Sequence, residues 1–329
     1  MSEKIFPPKL QSGDTVMVIA PSDSLGMISQ GMRDRADERL HELGLRVVYA
    51  DNVEELNDWE SSSVQSRVSD LHQAFQDPRV KAIIPAVGGY NCNQLLRYID
   101  WDIIKRNPKI LLGYSDITAL HNAIMAKTGL VTYNGPNYIS LGEKYYIDYT
   151  LTYLARCLFE SDPFIVQPSE YWSDDNWYDD QEDRTFYSNP GYLPIHEGTA
   201  RGAIIGGNQR TLQLLHGTDY FPDTENCILF LEESVESSIG VFERNLQSLL
   251  HVLNIHTLQG LVLGRFEERS QASAKLIAEM INTKQELHDI PVLANANFGH
   301  TDPKITFPVG GRATLNVSHS GSSLRIETY

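Results

Sequence analysis

The chain has 329 residues, with 27 Lys and Arg against 43 Asp and Glu, a formal net charge of −16. So acidic a surface disfavours nucleic acid and anionic membranes as partners, because neutralising phosphate or headgroups needs a basic patch. A mean hydropathy of −0.30, with no window of transmembrane length, fits a soluble globular protein large enough for two cores.

The opening residues MSEKIFPPKLQSGD have no apolar h-region, so no secretory leader is expected. Cys92, Cys157 and Cys227 lie far apart, and no CxxC, Cys/His or HExxH spacing occurs. A reducing cytoplasm, no disulfide framework and no metal are the expectations that follow.

In chain order, Asp14–Ala20 (DTVMVIA) predicts a first strand, Met32–Leu43 an amphipathic helix stopped by Gly44, and Leu45–Ala50 (LRVVYA) a second strand. Val64–Phe75 reads as a helix. Val80–Val87 (VKAIIPAV) reads as a third strand running into Gly88-Gly89-Tyr90-Asn91. Lys109–Gly113 suits a buried parallel strand, followed by a tight turn at Ser115. The helix beyond has apolar residues at Ile117, Leu120, Ala123 and Ile124. Leu130–Tyr133 is a further strand and Tyr149–Phe159 a helix. Alternating strands and helices imply right-handed crossovers, a mostly parallel sheet, and ligand binding beyond the strands' carboxyl ends.

Ser161–Gly198 breaks the pattern with prolines, aromatics and an acidic run, and reads as a link plus a long surface loop. Trp172 and Trp177 argue against plain disorder and suit the wall of a substrate site. Beyond it come Thr199–Asn208, ending in Gly206-Gly207-Asn208, and a helix at Arg210–His216. The strand Cys227–Leu231 (CILFL) runs into Glu232. A helix at Gly240–Leu253, the strand Leu258–Leu263, a helix at Ser273–Ile281 and the strand Pro291–Ala294 follow. The tail Ile305–Tyr329 reads as β-hairpins. The division is an N-terminal α/β domain at 1–160, the link and loop at 161–198, and a C-terminal domain at 199–329.

Ser115 lies where a strand turns sharply into a helix. Its hydroxyl is lifted above the sheet edge, the next N–H points toward it, and the helix dipole faces any negative charge that develops there. An ordinary helix N-cap accounts for the residue equally well. Gly88-Gly89 lets backbone approach a ligand closely, or simply makes a turn. With both loops at neighbouring strand ends, the N–H groups of Gly89 and Asp116 form an oxyanion hole. A nucleophilic serine needs a base, and the base an orienting acid. His300, in the loop NANFGHTD, and Glu232, at a strand end, are the candidates. Taken singly, each is also an ordinary loop histidine or strand-terminating acid. The order Ser, Glu, His is that of α/β-hydrolases.

Taken together and in order, LLGYSDITAL, IIGGN, ILFLEES and NFGHTDPKITFPVG resemble the LD-carboxypeptidase family of serine peptidases. That family includes muramoyl-tetrapeptide carboxypeptidases and microcin C immunity peptidases. The resemblance runs from Asp14 to the C-terminal hairpins. It implies a Rossmann-like N-terminal α/β domain with a parallel sheet, a smaller β-rich α/β C-terminal domain, and a site at their interface, often in homodimers. It further implies a triad of Ser115, Glu232 and His300, with Gly88-Gly89 as the oxyanion loop and the Asp116 N–H as second donor. Two departures stand out. GGYNCNQLL lacks the second small residue that many relatives have after the tyrosine. Ile117 stands where a G-x-S-x-G elbow has its second glycine, which separates the chain from ordinary α/β-hydrolases.

The chemistry implied is amide hydrolysis through a serine nucleophile, with no metal or organic cofactor. Asn208 is expected to hydrogen-bond substrate, or else to tolerate a left-handed turn. Tyr171–Asp183, with Trp172 and Trp177, resembles the longer loop of the immunity branch, where an indole stacks on a nucleobase. The expected substrate is therefore a peptidyl-nucleotide or small peptide, cut between an aminoacyl group and a nucleotide-like moiety. Removal of the terminal D-alanine from murein tetrapeptide is the close alternative. A reading from another class is a non-catalytic protein cradling an anion on Gly88-Gly89 and Gly206-Gly207. The missing GxGxxG and Walker A patterns stand against it.

Overall fold

The computed structural model describes residues 4–329. The first half alternates as the sequence predicts: β1 (Thr15–Ile19), α1 (Gln30–Glu42), β2 (Arg46–Tyr49), α2 (Val64–Gln76), β3 (Val80–Pro85), α3 (Trp101–Arg106), β4 (Ile110–Gly113), α4 (Thr118–Thr128), β5 (Thr132–Asn134) and α5 (Asp148–Phe159). The segment that follows departs from expectation. It is not one long surface loop but contributes β6 (Phe164–Val166), β7 (Tyr171–Trp172), β8 (Tyr187–Ser188) and β9 (Leu193–His196). Strands this short carry too little alternation to announce themselves. The second half runs β10 (Gly198–Asn208), α6 (Gln209–Gln213), β11 (Cys227–Glu232), α7 (Ile239–Val252), β12 (Gly260–Gly264), α8 (Ala274–Asn282), β13 (Val292–Ala296), β14 (Phe307–Val309), β15 (Arg312–Val317) and β16 (Ser323–Thr328).

Two main sheets result. The first is six-stranded in the order β14-β5-β4-β3-β1-β2, parallel throughout except for β14. The second is eight-stranded in the order β6-β16-β15-β10-β11-β12-β13-β9, with a parallel centre of β10 to β13 and antiparallel flanks. β6 and β9 form its two edges, so the expected linker in fact closes the second sheet at both ends. β14 corrects another expectation. Although it lies in the tail read as hairpins, it pairs antiparallel with β5 in the first sheet, Pro308 opposite Tyr133.

The helix α4 joins the halves. The sequence marks one apolar face, but the helix is buried almost all the way round, Ala119 to Met125 included. Its polar side chains find partners across the junction: Asn122 Nδ2 donates to Gly206 O at 2.9 Å, and Thr118 Oγ1 accepts from Asn208 N–H at 2.9 Å. Buried polar groups are tolerable only when paired in this way. Among the described residues no helix is long and apolar enough to cross a membrane, and no His/Cys/Asp/Glu group is arranged to hold a metal ion.

Candidate active site

Backbone strain presents Ser115. The serine follows β4 and Tyr114 and takes φ +63°, in the left-handed region that residues with a Cβ seldom occupy. One short 3-10 turn, Ser115–Ile117, then leads into α4. The serine hydroxyl caps neither helical segment. It lies instead 3.1 Å from Nε2 of His300.

His300 sits on the segment that crosses from β13 in the second sheet to β14 in the first, and so reaches Ser115 in the other lobe. Its Nδ1 is 2.7 Å from Oε2 of Glu232, the last residue of β11. With Nδ1–H donating to the carboxylate, Nε2 is free to accept the serine proton. Burial opposes protonation of His300. The adjacent Glu232 carboxylate outweighs it, backed by Glu267 and Glu233, and raises the pKa above the ordinary value. Glu232 is buried, and its Oε1 has no partner among the described residues. Glu233 beside it accepts from Asn208 Nδ2 at 3.1 Å and from its neighbour Ser234 N–H at 3.0 Å. Burial and the Glu232 charge hold its pKa up.

Gly88 backs directly onto the nucleophile: a Cβ there would lie 3.1 Å from Ser115 Cβ. Gly89, at φ +138°, could carry no side chain, since its Cβ would fall 2.3 Å from both Asp23 Oδ1 and Ser22 Oγ. The N–H groups of Gly89 and Asp116 donate to no acceptor among the described residues. The Asp116 carboxylate faces away, accepting from Ser22 Oγ at 2.6 Å and Cys92 N–H at 2.8 Å, and so pins the glycine loop against the turn. Its burial raises its pKa.

Ser115, His300, Gly88, Gly89 and Asp116 line a cleft of about 690 Å3. Asn208 lines it too, but not as expected. Its φ is −65°, its Oδ1 caps α6 through the Thr211 N–H, and its Nδ2 is given to Glu233, so the amide is engaged within the protein. Trp172 and Trp177 also differ from expectation: they are 6% and 5% exposed, and neither lines the cleft. Trp172 packs on Tyr187 and under Arg265 instead. Tyr178, next to Trp177, is the residue of that segment that reaches the cleft. Sequence reasoning missed it because aromatic content does not say which ring turns inward. It also missed Asp23, whose position just past the carboxyl end of β1 was an available signal. Burial, with Asp116 and Glu60 nearby, pushes the Asp23 carboxyl up to about 7.

A strained serine turn in one lobe, met by a histidine and carboxylate from another, is the geometry that serine hydrolases use. The chain belongs to the LD-carboxypeptidase family, matching its N-terminal domain over residues 16–135 and its C-terminal domain over residues 201–315. It is 47% identical to the putative carboxypeptidase YocD of Bacillus subtilis, over 99% of this chain and 100% of that one. It is 30% identical to the microcin C7 self-immunity protein MccF of Escherichia coli, over 98% of this chain and 96% of that one. A crystal structure of an MccF-like protein from Bacillus anthracis superposes with a TM-score of 0.98 at 50% identity, over 99% of this chain and 100% of that one. A structure of MccF in complex with aspartyl sulfamoyl adenosine superposes with a TM-score of 0.89 at 28% identity, over 99% of each chain.

Proposed function

We propose that the protein is a serine peptidase that hydrolyses an amide bond of a small aminoacyl or peptidyl substrate, with Ser115 as nucleophile, His300 as base and Glu232 as orienting acid. The observation that supports this most is the unbroken relay from Glu232 through His300 to Ser115, at 2.7 and 3.1 Å, beside two unengaged N–H groups. His300 takes the Ser115 proton as Oγ attacks the carbonyl, and Gly89 and Asp116 N–H groups hold the oxyanion. His300 then protonates the leaving amine, and a water repeats the cycle to release the acyl product. Glu232 keeps the imidazole in the required tautomer and offsets its developing charge.

For the substrate, the reading favoured is cleavage between an aminoacyl group and a nucleotide-like moiety. Likeness to MccF along nearly the whole chain supports it, as does a solved MccF complex with an aminoacyl-sulfamoyl nucleoside. In this chain a nucleobase would meet Tyr178 rather than either tryptophan. The test compares hydrolysis of aspartyl-sulfamoyl adenosine with release of D-alanine from murein tetrapeptide, using wild type and Ser115→Ala. Cleavage of the first compound, falling on the order of 10⁴-fold or more in the variant, is the expected result. Cleavage of the tetrapeptide alone would move the protein to the murein branch. Undiminished activity in Ser115→Ala would rule Ser115 out as the nucleophile, and no cleavage of either compound by the wild type would leave a binding role only.

A further inference from the structure

A second cavity, of about 560 Å3, opens in the C-terminal lobe and shares no lining residue with the cleft around Ser115. Arg265, Phe266 and Glu267, which follow directly on β12, form one wall, and Asn295 of β13 adds to it. Ala272, Ser273 and Ala274 close it with the start of α8. The edge where a parallel strand gives way to a helix is where α/β sheets receive anions.

Two independent features at this edge keep donors without acceptors. The first is the helix terminus. Ser273 caps α8, a helix of 9 residues, by accepting the Leu276 N–H at 3.2 Å. The N–H groups of Ala274 and Lys275, in the first turn, have no acceptor among the described residues. The second is Arg265, only 5% exposed. One face of its guanidinium lies over the Trp172 ring, 4.9 Å from the centroid, so its donors are left along the edge. Nη2 donates to two neutral oxygens, Asn189 Oδ1 at 2.5 Å and Asn295 O at 3.4 Å; Nε is shut off from solvent without a partner, and Nη1 forms no hydrogen bond among the described residues. Burial lowers its pKa, yet only to about 10, so it remains a cation at neutral pH. A buried cation is ordinarily paired. The carboxylates nearby do not provide that pairing. Glu267 accepts from the Val235 N–H and lies 3.5 Å from Arg269 Nη2, and Glu268 is exposed and forms no ion pair with Arg265.

We propose that this cavity binds the phosphate group of a small organic phosphate. The Arg265 guanidinium, through Nη1, and the Ala274 N–H are its donors, and Tyr187 and Pro190 flank the organic part. Three terminal phosphate oxygens can accept from a guanidinium edge and a helix N-terminus together. The volume exceeds that of a bare ion, which leaves room for a sugar-sized body. The site does not depend on the hydrolytic reading of Ser115, and binding at it is measured without turnover.

The experiment is calorimetric titration of the full chain with ribose 5-phosphate, inorganic phosphate and ribose. Ribose 5-phosphate is expected to bind more tightly than inorganic phosphate, more weakly as salt rises, and ribose not at all. Arg265→Gln should weaken binding at least tenfold. Ala274→Pro should weaken it several-fold by removing one donor while sparing the fold. Proline is favoured at the first helical position, and Ser273, at φ −62° and ψ 152°, already has the extended conformation that precedes proline. If the Arg265 variant fails to fold, the proline variant decides. Equal binding of phosphate and ribose 5-phosphate would overturn the assignment to an organic phosphate. No heat from either at millimolar concentration, or full affinity in Ala274→Pro, would overturn the site itself.

Discussion

Ser115, half-buried, is presented by a backbone held where a side chain is disfavoured, and the glycine loop opposite leaves no space for a Cβ. Gly89→Ala puts that second constraint to the test. Its Cβ would sit 2.3 Å from Asp23 Oδ1 and Ser22 Oγ, so the loop and its N–H must move. Loss of an oxyanion donor costs on the order of 10² to 10³ in kcat, and the expected signature is a fall of that size measured by steady-state kinetics. A kcat within twofold of wild type would mean that the Gly89 N–H is not a donor. The histidine supplies a pH test with a definite sign. A general base works only when neutral, so activity rises with pH through the raised pKa of His300. In Glu232→Gln the largest raising charge is gone while burial still disfavours the imidazolium. The ascending limb of kcat/KM should therefore move to lower pH as the plateau falls. A limb unmoved in pH would assign it to another group, and Asp23, pushed up to about 7, is the one to examine. At this scale the sequence singles out Ser115, Glu232 and His300, which the structure joins by hydrogen bonds, because each lies at or just past a strand end or in a glycine-bearing loop. Trp172, on a two-residue strand, and Trp177, in the turn beyond it, are buried away from the cleft, because burial of an indole depends on which face or turn carries it and local composition does not record that.

The segment from Tyr171 to Ser188 looked like a loose loop because it is short of regular apolar alternation. In the structure its order comes from buried charge instead. Arg184 Nη1 lies 2.9 Å from Glu143 Oε1 with both side chains 2% exposed, and Arg184 Nε lies 3.4 Å from Asp175 Oδ2. Asp175 in turn accepts from Ser173 Oγ at 2.9 Å, and Ser173 exchanges backbone hydrogen bonds of 2.7 and 2.8 Å with Asp302, two residues past His300. Burial and the nearby Asp302 charge push the Glu143 carboxyl well above the usual range, against the pull of Lys304 and Arg184. Removing one member of such a pair strands the other, at a cost of about 3–5 kcal/mol. Arg184→Met should therefore lose that much in urea unfolding. The double change Arg184→Met with Glu143→Leu should recover most of it, because two apolar chains need no pairing. A single variant within 1 kcal/mol of wild type (less than the error expected for a stranded buried charge) would show that the strap is held by packing alone.

At the scale of the molecule, the sequence displayed two runs of alternating elements, and both sheets were legible from them. The exchange between them was not. β14 is three residues, Phe307–Val309, followed by Gly310-Gly311, and nothing in so short a pattern says that its partner is β5, far back in the other half. Pairing of distant strands is a tertiary choice, made here by the aromatic cluster at the junction. Phe307 lies 4.9 Å from the Phe230 ring and 5.2 Å from the Phe298 ring, all three fully buried, and those partners stand two residues before Glu232 and His300 respectively. One cluster thus underlies both Glu232 and His300, and ties them to the sheet that carries Ser115. Together with α4, buried between the lobes, this leaves neither sheet a complete core by itself. Calorimetry should accordingly record one cooperative transition rather than two, with calorimetric and van't Hoff enthalpies in agreement. Phe307→Ala should cost about 3–5 kcal/mol and lower kcat more than it changes KM, since it loosens the histidine without touching the cleft wall. Two separated transitions in the wild type, one leaving the first sheet intact, would contradict the junction as the organising contact. In that case the line of Ser115, His300 and Glu232 would have to be held by the strap alone.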